Sequence, residues 1–419
     1  MATPEVKIKQ TEMTDRGTMQ VVVLSENNRP IENARVRISY TGDPDNIIEE
    51  LRTDSSGRTE TISLSAPPLE YSEAPGADQP YAEYNISIDA ENFSPLLISG
   101  SEVFANELSI QNASLRPGSN LRGSSIALLP NTLFGNFPPK IPESEIKPLG
   151  QSGEIVLSRV VVPETVIVHD GTPSDSTASD YYVPYRDYIK NVASCEIYAT
   201  WPRATLVANI LAIMSFTLNR VYTEFYRNRG YNFTITSSTA YDHKWVYGQT
   251  FFESISQIVD EIFDQYLSRP DVKQPILTQY CDGQRTTCPN WLSQWGSKTL
   301  GDQGYSPIEI LRNYYGNSIY INNAEEISGI PISWPGSNLD IGSSGDKVRL
   351  IQEQLDTIAT IYSAIPRIAT DGIYGERTQA AVREFQSIFG LPQTGIIDFA
   401  TWYKISHIYV GVTGIAELV

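Results

Sequence analysis

Tyr188-Ile189-Lys190-Asn191-Val192-Ala193-Ser194-Cys195-Glu196-Ile197-Tyr198-Ala199-Thr200-Trp201-Pro202 leads straight into a stretch, Arg203 to Arg227, with the apolar period of a helix. Leu206, Ile210, Ile213, Thr217 and Val221 fall on one face. Leu211, Met214 and Leu218 widen it, so the spacing predicts a long helix at the centre of a domain. Trp201-Pro202 marks its start, because Pro suits the first helical position, and Gly230 stands just past its end. A second helix is expected over Phe251 to Tyr266, stopped by Arg269-Pro270, and a short third over Pro307 to Tyr315. The quoted stretch carries a single carboxylate, Glu196, among Cys195, Ile197, Tyr198 and Trp201. Partial burial there would raise its pKa and keep it protonated near neutral pH. A general acid for glycosidic cleavage needs that state.

Upstream the period is two. Met19 to Leu24, Ala34 to Tyr40, Thr59 to Leu64 and Tyr84 to Ala90 are rich in Val, Ile, Thr and Tyr, with Val36, Ile38 and Tyr40 alternating against Arg35, Arg37 and Ser39. Glu26-Asn27-Asn28 and Asp54-Ser55-Ser56-Gly57 supply turns. These features predict an antiparallel β-sandwich over residues 1–115. Residues 116–155 hold Pro117, Pro130, Pro138, Pro139, Pro142 and Pro148 with five glycines, and Pro removes backbone donors. They read as an extended linker, either a spacer or a protease-sensitive segment. Downstream, a Gly, Pro and Ser-rich stretch over 329–344 precedes two amphipathic helices, one with Val348, Ile351, Leu355 and Ile358 inward and one with Ala381, Val382, Phe385, Ile388 and Phe389. A third around Thr401 to Ile408 would close a three-helix bundle. The fold class expected is multidomain α+β: sandwich 1–115, linker 116–155, mixed α/β domain 156–335 and helical bundle 336–419.

The chain has 419 residues and a net charge of −18. Residues 1–120 carry 9 Lys and Arg against 19 Asp and Glu. Such acidity argues against duplex nucleic acid or an anionic membrane surface as partner. The longest near-apolar run, Leu206 to Phe216, is interrupted by Asn209 and Ser215 and is shorter than the ~20 residues of a membrane span. Met1 to Asp15 is charged and shows no secretory signal. Three cysteines exclude a disulfide-dense scaffold.

Three resemblances follow. Pro30-Ile31-Glu32-Asn33-Ala34-Arg35-Val36, Thr53 to Gly57 and Ala90 to Pro95 resemble transthyretin-like or carboxypeptidase-regulatory-like modules. Asp371-Gly372-Ile373-Tyr374-Gly375, Thr378, Val382, Phe385-Gln386, Gly390-Leu391, Gly395 and Thr401 resemble the peptidoglycan-binding domain appended to wall hydrolases. The stretch around Glu196 resembles the SpoIID family of lytic transglycosylases, whose acid precedes Trp-Pro and a long helix. Together they resemble the SleC-type spore-cortex-lytic enzymes. The resemblance implies a peptidoglycan lytic transglycosylase that cleaves between N-acetylmuramic acid and N-acetylglucosamine in spore cortex. It further implies a precursor cut near Leu149, Gly150, Gln151 and Ser152 by a subtilisin-like germination protease, with Glu196 as acid, no cofactor, and a place at the spore cortex or coat. A missing secretory signal would suit packing around the forespore from the mother cell.

The sequence departs from the SpoIID pattern at Val207, Asn209, Met214 and Phe216, where relatives carry Lys, Gln, Arg and Tyr. Ser237, Ser238, Tyr241 and Asp242 form a polar loop that reads as a sugar-binding wall or as a solvated turn, and Trp201 is a further substrate-binding candidate. Tyr374, Arg377 and Gln386 are candidate wall-binding residues. Cys281 and Cys288 could be a disulfide, half a metal site or two thiols; no metal is assigned. Two rivals remain: a hydrolytic muramidase or glucosaminidase using Asp242 as second carboxylate, and a non-catalytic spore-coat or wall-binding protein.

Overall fold

The computed structural model describes residues 13–76, 78–118, 123–148, 156–329 and 334–413. Alternation builds its N-terminal part. Strands β1 (Asp15–Ser25), β2 (Arg35–Tyr40), β3 (Asp43–Arg52), β4 (Ile62–Ala66), β5 (Ala82–Asp89), β6 (Leu96–Val103), β7 (Leu108–Leu115) and β8 (Ser124–Ala127) follow in order, with helix α1 (Glu70–Glu73) before β5. Met19, Val21, Val23, Val36 and Ile38 are fully buried, while Arg35 and Arg37 pair outside with Glu50 and Asp89, each at 2.7 Å. Side chains of a strand alternate between faces, so this pattern sets which face is core. Sheets β3-β2-β5-β6-β8 and β7-β1-β4 enclose that core. The expectation of a purely antiparallel arrangement is corrected: β1 pairs with β7, and β6 with β8, in parallel. A parallel neighbour needs a crossover, and β7 returns beside β1 only after β2, β3, β5 and β6 of the other sheet have been laid down.

The middle of the chain surrounds one apolar helix. Its short strands are β9 (Val161–Val162), β10 (Thr165–His169), β11 (Asp180–Pro184), β12 (Ile235–Thr236), β13 (Phe251–Phe252), β14 (Gln265–Ser268), β15 (Tyr280–Cys281), β16 (Leu292–Ser293), β17 (Tyr320–Asn323) and β18 (Glu326–Ile327). Its helices are α2 (Tyr185–Glu196), α3 (Arg203–Tyr222), α4 (Glu253–Ile262), α5 (Gln294–Asp302) and α6 (Pro307–Tyr315). By length and composition α3 could cross a membrane, but 83% of its apolar window is buried inside the protein. It is the core helix that its all-round apolar surface calls for.

Two predicted helices are shorter than expected. At the end of α3, Glu224 takes a positive φ of 45°. The chain then doubles back, so that Phe225 covers the Arg220 guanidinium at 3.8 Å and the Tyr226 hydroxyl reaches Asp242. Gly230 closes a separate 3₁₀ turn, Arg227–Arg229. Both flanks of α4 are drawn into sheets: Phe251 lies opposite Ile110 of β7, and Gln265 opposite Asn323 of β17. The first of these pairings joins the N-terminal sheet directly to the middle region.

Helices α7 (Asp346–Ala359), α8 (Glu376–Ile388) and α9 (Phe399–Thr413) form the C-terminal helical region. It does not hang free. Phe263, just past α4, packs on Phe399 and Tyr403 at 5.4 and 5.3 Å, and Arg186 donates to the Tyr403 carbonyl at 3.1 Å.

The expected linker also needs correction. Beyond β8, residues 129–147 form a strap laid across the middle region. Ile141 N–H donates to the Ala240 carbonyl at 2.7 Å, and Leu277 N–H to the Glu145 carbonyl at 2.8 Å. Glu143 pairs with Arg220, and Glu145 with Arg269. Prolines keep this strap extended and free of sheet, while its carbonyls and charged groups are satisfied by the surface beneath.

Candidate functional site

Glu196 is the last residue of α2 and is only 2% exposed. Asn191, one turn earlier, exchanges two hydrogen bonds with the Val246 backbone, at 2.8 and 3.0 Å. That exchange fixes the 244–246 segment against α2, and Lys244 N–H donates to Glu196 Oε1 at 2.6 Å. Tyr280, at the start of β15, donates its hydroxyl to Oε2. Both carboxyl oxygens are therefore held in place. Burial raises the Glu196 pKa, opposed by the Lys140 ammonium, the Tyr280 hydroxyl and the Lys244 N–H. The helix C-terminus, with its partial negative charge, also disfavours an ionised carboxylate there.

Around the acid lies an aromatic wall. The His243 ring stacks on Tyr280 at 5.8 Å and lies 4.5 Å from Phe216. Tyr188 Oη is 3.0 Å from His243 Nδ1. Burial drives the His243 pKa well down, so its ring is neutral. Lys140, from the strap, sits over both Phe216 and Tyr280, at 5.1 and 4.8 Å, and donates to the Asp242 carbonyl. Lys244 Nζ donates to the carbonyls of Leu129 and Pro130.

Several candidates take other roles. Asp242 is fully buried and is no sugar-binding wall. It accepts from Arg220 Nε at 2.7 Å, Tyr226 Oη at 2.6 Å, Thr236 N at 2.9 Å and Thr236 Oγ1 at 2.7 Å. A carboxylate so occupied cannot activate water as a second catalytic group. Trp201 is 3% exposed, with its Nε1 donating to the Ser72 carbonyl at 2.9 Å, so it faces the N-terminal module and not an open cleft. Ser237, Ser238 and Tyr241 are half-buried in the turn that carries Asp242. Cys281 and Cys288 form a disulfide immediately after Tyr280. Asn209, at one of the departures from the SpoIID pattern, is used internally, donating to Ser297 Oγ at 2.8 Å. Leu149, Gly150, Gln151 and Ser152, where the resemblance implies an activating cut, lie outside the described residues.

In the C-terminal region, Tyr374 is 1% exposed and donates to the Gly395 carbonyl at 2.9 Å. Gln386 is fully buried and bonds Thr401, Ile396 and Gly395. Neither can touch a wall polymer; they brace the loops on which the domain is built. Arg377 is exposed at the start of α8, and Ile373 beside it is 60% exposed.

Residues 344–405 match the putative peptidoglycan-binding domain. This assigns the C-terminal region a cell-wall-associated role. A curated relative, the zinc D-Ala-D-Ala carboxypeptidase of Streptomyces albus G, is 41% identical over 73 residues, covering 17% of this chain and 27% of the relative. The chain thus spans about a quarter of that relative's length. Solved structures with some likeness include the Bacillus anthracis TIE protein (14% identity, TM-score 0.17, 25% of this chain and 17% of that one). Another is 3-chlorocatechol 1,2-dioxygenase of Rhodococcus opacus (12%, 0.17, 26% and 62%). A third is the minor pilin of Streptococcus agalactiae (9%, 0.17, 26% and 47%). At those scores the likenesses carry no argument.

Sequence reasoning missed Lys140, Lys244, Arg220 and Glu143. One signal was present for Lys140: it is the lone cation in Phe137-Pro138-Pro139-Lys140-Ile141-Pro142, and an extended Pro-rich segment is a shape suited to lying in a groove.

Proposed function

We propose that the protein is a peptidoglycan lytic transglycosylase of the spore cortex, with Glu196 as its acid and base. The observation that carries this reading is the Glu196 carboxyl, buried and held at both oxygens by the Lys244 N–H and the Tyr280 hydroxyl, with His243 stacked on Tyr280 and Phe216 packed on His243, in a chain with a peptidoglycan-binding domain. Glu196 donates its proton to the oxygen between N-acetylmuramic acid and N-acetylglucosamine. The C1–O bond breaks and the N-acetylglucosamine leaves as an alcohol. The C6 hydroxyl oxygen of the muramic residue then bonds to C1, and its proton returns to the Glu196 carboxylate. Atoms balance without water, the acid is regenerated, and the product ends in a 1,6-anhydro ring. One carboxylate suffices, in contrast to hydrolytic pairs, and the engagement of Asp242 with Arg220 argues against the hydrolytic rival. The wall-binding domain raises the local concentration of enzyme on an insoluble substrate.

We further propose that the chain is a zymogen activated by a subtilisin-like germination protease, since a wall hydrolase stored on a spore must stay silent. The burial of Glu196 in the intact chain supports this. The test is cortex digestion before and after controlled proteolysis, with mass analysis of the products. Anhydro ends made only by the processed wild type fit the proposal. No digestion by any form would favour a non-catalytic wall-binding protein.

A further inference from the structure

We infer that the inhibitory element of this chain is the strap, residues 129–147, which occupies the glycan groove of Glu196 with Lys140 seated over Phe216 and Tyr280, while the N-terminal β-module serves only to hold the strap. The inference rests on the reading of Glu196 as the catalytic acid and names how that site is kept shut.

Three observations carry it. First, the strap covers the site along its length. Thr132 N–H donates to the Cys195 carbonyl at 2.8 Å, and Asn131 Nδ2 to the Ser194 carbonyl at 3.1 Å. Lys140 reaches the Asp242 carbonyl and lies on the ring of Tyr280, whose hydroxyl holds Glu196, and on the ring of Phe216, which packs on His243. Sugars bind such aromatic faces, and here an ammonium stands on them.

Second, the strap is an overlay and not core. Of its side chains Leu133 joins the buried apolar cluster and Phe134 packs against its edge, whereas Leu129, Ile141 and Ile146, further apolar side chains of the strap, are 55%, 44% and 38% exposed. Its hold is polar: Glu143 on Arg220 at 2.5 and 3.0 Å, Glu145 on Arg269 at 2.7 and 2.8 Å, and Ile141 on Gln279 at 2.7 Å. Segments with few buried apolar contacts open at lower cost than the fold itself. Third, Lys140 is the strongest influence favouring the ionised Glu196, so the strap both blocks the acid and opposes its working protonation state. Chain continuity explains why the β-module matters: β8 runs into the strap and is fixed beside β6.

The test uses the full chain carrying Lys140→Glu, Glu143→Lys and Glu145→Lys. Each change sets like charges against Glu196, Arg220 and Arg269, and the β-module is untouched. Two quantities are read: amide hydrogen exchange, and the rate at which a carbodiimide with glycinamide labels Glu196. Amides of Thr132, Ile141 and Leu277 should lose protection, and Glu196 should label at least about tenfold faster, since each charge-assisted contact is worth about that factor. Amides of β1 and β2 should keep their protection. An opened strap with Glu196 still unlabelled would overturn the inference and return the inhibitory role to the β-module. If the triple variant loses protection in β1 as well, Lys140→Met, which removes one charge at constant bulk, replaces it. Unchanged labelling in a folded Lys140→Met chain overturns the inference too. Labelling without any cortex digestion would leave the strap as cover and refute Glu196 as the acid, so the two failures are distinguishable.

Discussion

Asp242→Asn should destabilise the protein strongly, and the structure gives the size of the effect. The carboxylate accepts four hydrogen bonds, one at Oδ1 from Arg220 and three at Oδ2 from Tyr226 and Thr236. An Asn oxygen can serve the three donors on the Oδ2 side. Its amide group then points N–H at N–H toward Arg220 Nε. Arg220 is itself fully buried in its side chain and keeps Glu143 as its remaining ion-pair partner, with a further bond to the Tyr241 carbonyl. Breaking a buried ion pair costs about 3–5 kcal/mol, and the surviving Glu143 places this site at the lower end, about 3 kcal/mol. At about 2–4 °C per kcal/mol for a large domain, the thermal midpoint should fall by about 6–12 °C. Thermal unfolding of the full chain, followed by circular dichroism at pH 7, measures it. A shift within about 2 °C of wild type would refute the argument.

Other consequences are equally direct. Burial raises the Glu107 pKa to about 7 and also raises that of Glu102. The folded chain therefore keeps protons that the unfolded chain releases above about pH 4.3, and stability falls as pH rises from there toward 7 and beyond. Glu107→Gln should raise the thermal midpoint at pH 8 and leave it unchanged at pH 4; equal effects at both pH values would refute the assignment. Removing residues 338–419 should abolish sedimentation with peptidoglycan, and should also destabilise what remains. Phe263 would lose Phe399 and Tyr403, and burying a Phe side chain is worth about 1.5–3 kcal/mol. An unchanged midpoint would show the module to be independent. Tyr374→Phe should cost about 1 kcal/mol through the lost bond to Gly395, detected by denaturant unfolding. Arg377→Ala should weaken wall binding at constant stability, and the reverse pattern would overturn both roles.

How far the sequence could be read depended on whether the deciding interaction was local. The period-two and period-3.6 segments gave the strands of the N-terminal part, the core helix α3 and the three C-terminal helices, because burial of one face follows from spacing alone. Helix ends were read less well. The apolar period alone carries α3 on to Arg227, because nothing near it in sequence announces that Phe225 and Tyr226 fold back onto Arg220 and Asp242. The parallel pairing of β1 with β7 depends on partners some ninety positions apart. The burial of Glu196 follows from its apolar neighbours, but its bonds to Lys244 and Tyr280 span 48 and 84 positions. Residue type misled at Asp242, Tyr374 and Gln386: polar groups suited to sugar binding are just as suited to bracing loops when a buried donor or carbonyl faces them. Pro-rich composition reports the lack of regular structure, not the lack of contacts, so the strap's bonds to the middle region are invisible in the sequence.

The most direct test of the central claim is the product of cortex digestion by proteolytically processed protein, wild type against Glu196→Gln. Gln is nearly isosteric and lacks only the transferable proton. The account predicts wild-type fragments one water lighter than reducing-end fragments, and a fall in rate of about 10²–10⁴-fold for Glu196→Gln with an unchanged thermal midpoint. Reducing-end products, or more than about a tenth of wild-type activity in Glu196→Gln, would contradict it.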